Sequence, residues 1–170
     1  MNSAIVAPGE SGELWWRTEQ ATSGYLGRPE ATAELLTDDG WLRSGDVGRA
    51  DEDGFIFIED RVKDMIITGG ENVYSPEVER VLAEHPAVLE LAVIGVPDER
   101  WGEAVKAVVA LRPDHSVEPE ELIAFARERL AHYKAPSSID VVEALPRNPS
   151  GKILKRDLRK AYWADRDRQV

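Results

Sequence analysis

The strongest constraint on this chain is a change of rhythm near Asp60. Before it, the apolar stretches Glu13 to Thr18, Trp41 to Asp46 and Phe55 to Glu59 are separated by glycine and acidic turns, a pattern of hairpins and not of helices. Asp53-Gly54 is a turn signal ahead of Phe55-Ile56-Phe57-Ile58, whose two alternating faces are both apolar and so both demand cover. About 60 residues of such sheet exclude little surface from water, so this segment is expected to lie on a larger body.

After Asp60 the pattern becomes mixed α and β. Met65 to Thr68 reads as a strand, followed by a Gly-Gly turn and a helix that opens at Ser75-Pro76-Glu77 and runs to Glu84. Serine is the expected N-cap, with proline at the first helical position. Glu77 and Glu79 are expected to complement the positive helix end. Val88 to Val96 and Ala104 to Leu111 read as strands, Pro119 to Leu130 as an amphipathic helix, Ile139 to Val142 as a strand and Lys155 to Trp163 as a last helix. The boundary is expected at Asp60 to Lys63, ahead of a compact unit of roughly 110 residues.

Charge and composition narrow the function classes. With 21 basic and 32 acidic residues the formal charge is −11, which disfavours nucleic acid and anionic lipid as bulk partners. The chain has no cysteine, so thiol redox chemistry, disulfides and thiolate metal sites are excluded. His85, His115 and His132 are scattered without metal-ligand spacing, and no metal site is assigned. Met1 to Pro8 has neither a basic leader nor a sustained apolar core, and no apolar run approaches the roughly 20 residues that span a bilayer. The expectation is a cytoplasmic protein without a membrane span.

One loop stands out chemically. In Pro146-Arg147-Asn148-Pro149-Ser150-Gly151-Lys152, turn-forming residues project a lysine ahead of a helix. A compact ammonium suits a phosphate, since unit charges about 4 Å apart attract by about 4 kcal/mol at an effective dielectric of about 20. The alternative is a solvated lysine, because Lys155, Arg156 and Arg159 form a basic cluster nearby. Trp101 sits in a charged loop bounded by Pro97 and Gly102, where it is either buried or meets a ligand. Gly69-Gly70 is either a hairpin turn or a place of close backbone approach. Asp46 alone is a turn aspartate, and Arg61 alone a surface partner for Asp60 or Asp64.

Four stretches, taken in order, carry a resemblance: Trp41-Leu42-Arg43-Ser44-Gly45-Asp46; Asp60-Arg61-Val62-Lys63-Asp64 with Gly69-Gly70-Glu71-Asn72; Tyr133-Lys134-Ala135-Pro136; and Pro149-Ser150-Gly151-Lys152. Together they resemble the adenylate-forming superfamily of acyl-CoA synthetases, luciferases and peptide-synthetase adenylation domains, across nearly all of Gly12 to Arg159. The resemblance implies an α+β chain: residues 1–60 as a β-hairpin or distorted-barrel remnant of the large AMP-binding domain, and residues 61–170 as a small mixed-sheet lid flanked by helices. It makes Lys152 catalytic, Asp46 and Arg61 ribose contacts of ATP or AMP, and Lys63 the hinge. Gly69, Gly70, Glu71 and Trp101 become residues beside CoA.

The implied reaction joins a small carboxylic acid to CoA through an acyl-adenylate, with magnesium arriving on ATP and not held by these residues. The partner it implies is an N-terminal AMP-binding domain, in cis or in trans, without which the chain is expected to be inactive. A CoA-binding or docking module without chemistry, and the lid of a peptide-synthetase adenylation domain, stay open.

Overall fold

In the computed structural model, which describes residues 5–164, the chain divides into two compact units, Met1–Lys63 and Asp64–Val170. The division falls at the Lys63 end of the Asp60 to Lys63 stretch, because strand pairing continues to Arg61 and the Val62 amide still donates to the Gly45 carbonyl.

The first unit holds β1 (Gly12–Trp16), α1 (Pro29–Leu35), β2 (Leu42–Ala50) and β3 (Ile56–Arg61). Its strands form an open antiparallel sheet in the order β1-β2-β3. The β2–β3 turn is built by Asp51, whose Oδ1 accepts the Asp53 and Phe55 amides, and by Gly54 at φ +83°. Helix α1 corrects the expectation of hairpins alone. Pro29 at its start and Glu30 in its first turn are start signals that the glycine-rich surroundings masked. Phe55, Ile56, Phe57 and Ile58 are all exposed, and Val47 is the only buried hydrophobic residue described before Asp64.

The second unit holds β4 (Ile66–Thr68), β5 (Glu71–Val73), α2 (Ser75–Ala83), β6 (Val88–Asp98), β7 (Gly102–Leu111), α3 (Pro119–Arg127), β8 (Ser138–Val142) and α4 (Lys155–Lys160). Its sheet runs β5-β4-β7-β6, with β8 parallel to β7 through Lys106 to Ala110. Alternation along the β6–β7 ribbon makes two cores. Val93, Val105, Ala107 and Val109 join Val78 and Leu82 of α2 and Leu122 and Ala126 of α3. Ala92, Ile94 and Val108 join Leu145, with Ile153, Leu158 and Tyr162 of the C-terminal segment packed on them. The segment bearing Lys152 is thus seated on sheet residues from the second set.

Strand β6 has no strand partner beyond β7 among the described residues, and side chains close that edge. Glu79 accepts the Val93 amide at 2.8 Å, and Trp163 Nε1 donates to the Gly95 carbonyl at 3.0 Å. Of the two acids expected at the helix start only Glu77 lies in the first turn; Glu79 falls beyond it and acts as an inter-element tie. Ser75 is not the N-cap, a position that falls to Tyr74. Ser75 is buried, and its Oγ accepts from Lys155 Nζ at 2.7 Å. No helix among the described residues is long and apolar enough to cross a membrane.

Candidate functional site

Within the first unit, the register of β2 and β3 sets Asp46 opposite Arg61. Arg61 Nε donates to Asp46 Oδ1 at 3.2 Å, so its acidic partner is Asp46 and not Asp60 or Asp64. The Asp46 backbone is fixed from two sides: Ser44 Oγ accepts its amide at 3.0 Å, and Gly45, at φ +73°, gives its own amide to Glu13 Oε1 at 3.1 Å. Asp46 Oδ2 takes no hydrogen bond among the described residues. A carboxylate with one oxygen on a cation and one open can accept a hydroxyl, which is chemistry suited to a sugar diol.

In the second unit, Gly69-Gly70 makes the β4–β5 turn and lies against Trp101. The Gly69 amide donates to the Trp101 carbonyl at 2.9 Å. A Cβ on Gly69 would stand 2.9 Å from Trp101 Cε3, so the indole lies where a side chain would be. Trp101 is 49% exposed, which removes the core alternative, and the Arg100 guanidinium lies 4.5 Å from its ring centroid. Asp98 Oδ1 accepts the amides of Arg100 and Trp101 at 2.9 and 2.8 Å, holding the loop in shape. Glu71 follows, exposed, at the start of β5.

The Lys152 loop is a hairpin stapled by its own hydrogen bonds. Arg147 and Ile153 form a β-bridge, and the Leu154 amide donates to the Pro146 carbonyl at 2.8 Å. Asn148 is its hub. Asn148 Oδ1 accepts the Lys152 amide at 2.8 Å and the Ser150 hydroxyl at 2.8 Å, while the Asn148 amide donates to the Lys152 carbonyl at 2.9 Å. Arg147 donates to the Gly151 carbonyl and to Glu90 of β6.

The basic cluster around this loop dissolves into pairs. Lys155 meets Glu79 at 2.7 Å, Arg159 meets Asp64 at 2.6 Å, and Arg147 meets Glu90. Lys134 donates to both oxygens of Glu77 at 2.9 and 2.7 Å, tying the third motif to the start of α2. The Lys152 ammonium is exposed and makes no ion pair or hydrogen bond among the described residues. Nor does a hydrogen bond among them join Lys152 to Trp101 in the same unit. Lys63 lies in the turn between β3 and β4, at the division of the two units.

Glu90, Asp140 and Tyr162 titrate away from their ordinary values. The Arg147 hydrogen bond, helped by the Leu145 amide, holds Glu90 below the usual carboxylate range against the opposing effect of burial. Burial pushes Asp140 upward, but hydrogen bonds from Lys106, at 2.6 Å, and Tyr162 outweigh it and leave Asp140 lowered. Burial and the Asp140 carboxylate push the Tyr162 hydroxyl up to about 12. No cluster of three or more His, Cys, Asp or Glu that could hold a metal is present among the described residues.

Glu90, Asn148, Arg147 and the Asp64–Arg159 pair were not singled out as site residues from sequence. Asn148 was legible as a turn-forming side chain, and Lys155 and Arg159 as neighbours one helical turn apart. The acids they meet lie far away in sequence, as with Glu90 and Arg147, 57 residues apart.

An exposed lysine on a hairpin of a small α+β unit is the feature set against known proteins. Residues 77–152 match the AMP-binding enzyme C-terminal domain family. The fatty acid–[acyl-carrier-protein] ligase ScoC of Streptomyces coeruleorubidus is 48% identical over 165 residues, 97% of this chain and 32% of the relative. Feruloyl-CoA synthase of an Amycolatopsis species is 51% identical over 157 residues, 92% of this chain and 32% of the relative. ATP-bound MatB from Rhodopseudomonas palustris superposes with a TM-score of 0.85 at 36% identity, covering 94% of this chain and 32% of that one. The chain belongs to the adenylate-forming superfamily, matches its C-terminal portion, and spans about a third of the length of the curated relatives it matches.

Proposed function

We propose that this chain supplies the lid of an acyl-CoA ligase that turns a carboxylic acid and ATP into acyl-AMP and pyrophosphate, then acyl-AMP and CoA into acyl-CoA and AMP. Residues 1–60 are the last β segment of the large AMP-binding domain, residues 61–170 the lid. That N-terminal domain, in cis or in trans, holds the acid and the adenine. The carrying observation is the Lys152 ammonium, presented on a rigid hairpin while Arg147, Lys155 and Arg159 beside it are each committed to a carboxylate.

In this reading Lys152 meets the α-phosphate and the acid carboxylate and stabilises the charge they share as the acyl-phosphate bond forms. Asp46 accepts the ribose hydroxyls, and Arg61, paired with it, also reaches the ribose. Rotation about Lys63 exchanges the adenylating pose for the thioester-forming one. Gly69, Gly70, Glu71 and Trp101 then lie along the thiol acceptor's arm, where the two glycines let backbone approach. Magnesium enters on ATP, carried by the phosphates. We place the reaction in the cytoplasm, a reading that the cysteine-free composition suits.

The test mixes this chain with a matching N-terminal domain and follows acid-dependent pyrophosphate release. Lys152→Ala lowers that rate by about 100-fold, as expected for one lost transition-state contact, and an unchanged rate would remove the assignment. CoA is the acceptor assigned, in line with feruloyl-CoA synthase. The name of ScoC gives an acyl carrier protein instead, so thioester formation is measured with each thiol.

A further inference from the structure

We propose that Arg147 is a positioning residue for Lys152, tying the Gly151 carbonyl to Glu90 of β6 and so fixing the direction in which the lysine side chain leaves the loop. This inference rests on the role given to Lys152 in adenylation.

The peptide unit between Gly151 and Lys152 is held at both of its polar ends. Its carbonyl oxygen accepts from Arg147 Nη1, and its amide donates to Asn148 Oδ1 at 2.8 Å. Because a peptide unit is planar, fixing its oxygen and its N–H fixes the plane, and with it the starting point of the Lys152 side chain. Gly151 reaches this arrangement at φ +83°, a conformation that glycine adopts without strain.

The anchor of this clamp is remote from the loop and rigid. Glu90 lies on β6, where its Oε1 accepts the Leu145 amide at 3.2 Å and its Oε2 takes the second Arg147 nitrogen. Leu145 and Ile153, on either side of the loop, both sit on the second core. One carboxylate therefore grips the chain before the loop and, through Arg147, the carbonyl just before Lys152. A guanidinium spans two acceptors with its planar fork, whereas an ammonium at the end of a flexible stem does not fix both in one geometry. The Arg147 hydrogen bond also lowers the titration of Glu90, so this anchor loses its charge only in acid more extreme than an ordinary carboxylate needs.

The experiment is a double-mutant cycle on adenylation, with the 170-residue chain complemented by its matching N-terminal domain. Arg147→Lys lowers kcat by about 10-fold, with KM for ATP little changed, because a displaced ammonium costs rate. In a Lys152→Ala background the same substitution changes the rate by less than about 2-fold, since nothing is left to position. Glu90→Gln, which keeps an acceptor for Leu145 but loses the charge that holds Arg147, gives a smaller loss with the same background dependence. In the chain itself, Arg147→Lys also speeds hydrogen exchange at the Lys152 amide. An equal factor in both backgrounds, or Arg147→Lys at full speed while Lys152→Ala is slow, overturns the positioning role alone. Lys152→Ala at the wild-type rate overturns it together with the reading beneath it.

Discussion

Gly69 and Gly70 are the same residue in neighbouring positions, yet they stand under different constraints. Both have positive φ, +59° and +86°, where a side chain costs about 1 to 2 kcal/mol. Only Gly69 also faces the Trp101 ring, whereas a Cβ on Gly70 meets nothing within 4 Å. Gly69→Ala is therefore expected to lower the urea midpoint of the second unit further than Gly70→Ala, and to shift the indole. Gly70 has room within this chain, so Gly70→Trp tests the region in front of it. It leaves pyrophosphate release intact and blocks thioester formation, and equal loss of both half-reactions would count against a thiol channel here. Sequence already offered close backbone approach as one alternative at Gly69-Gly70. What periodicity could not supply was the body approaching Gly69, an indole from a loop some thirty residues on.

At the scale of elements, α4 is six residues long, shorter than any helix that is stable by propensity alone. Its order comes from Leu158 on the second core, Lys155 on Glu79 and Ser75, and Arg159 on Asp64. The Arg159–Asp64 pair is largely buried, with side chains 13% and 22% exposed. Arg159→Ala is expected to cost about 1.5 to 3 kcal/mol, the range for a hydrogen bond between charged groups, read as a lower urea midpoint. It also speeds exchange at the amides of α4. Asp64 directly follows Lys63, so the pair ties the last helix to the first residue beyond the assigned hinge.

Tyr162, just beyond α4, adds a pH dependence. Its hydroxyl ionises at about 12 in the folded state against 10.0 ordinarily, so its contribution is complete below about pH 10 and is lost between about 10 and 12. Glu90 and Asp140 are lowered, so what they contribute is present above their ordinary values of 4.5 and 3.8 and is lost as pH falls through the folded ones. Thermal unfolding followed against pH shows both limbs, and Tyr162→Phe removes the alkaline one. The ties behind this behaviour were hidden from sequence because each joins an element to a distant strand, whereas helix α1 was legible from Pro29 and Glu30 and was missed only for its glycine-rich setting.

For the whole molecule, the two rhythms of the sequence correspond to two very different amounts of core. Hairpin punctuation and α/β alternation are local patterns, so a change between them can be read from sequence, and strand periodicity sets which faces the side chains of Phe55 to Ile58 take. A covering body is a long-range matter that periodicity does not carry, and the run is exposed among the described residues. All buried hydrophobic residues described, apart from Val47, lie beyond Asp64. The second unit has two packed clusters and a closed sheet edge, the features of an independent folding unit. The first unit has an open three-stranded sheet with an exposed apolar run, and little to offset the entropy of ordering it. Residues 64–170 expressed alone are therefore expected to unfold in one cooperative urea transition, with a slope of about 1 to 3 kcal/mol/M as for other small domains. Residues 1–63 alone are expected to show no such transition and to bind a dye that reports exposed apolar surface. A cooperative transition in residues 1–63 would mean that Val47 and its neighbours suffice as a core, and the need for a covering body would go with it.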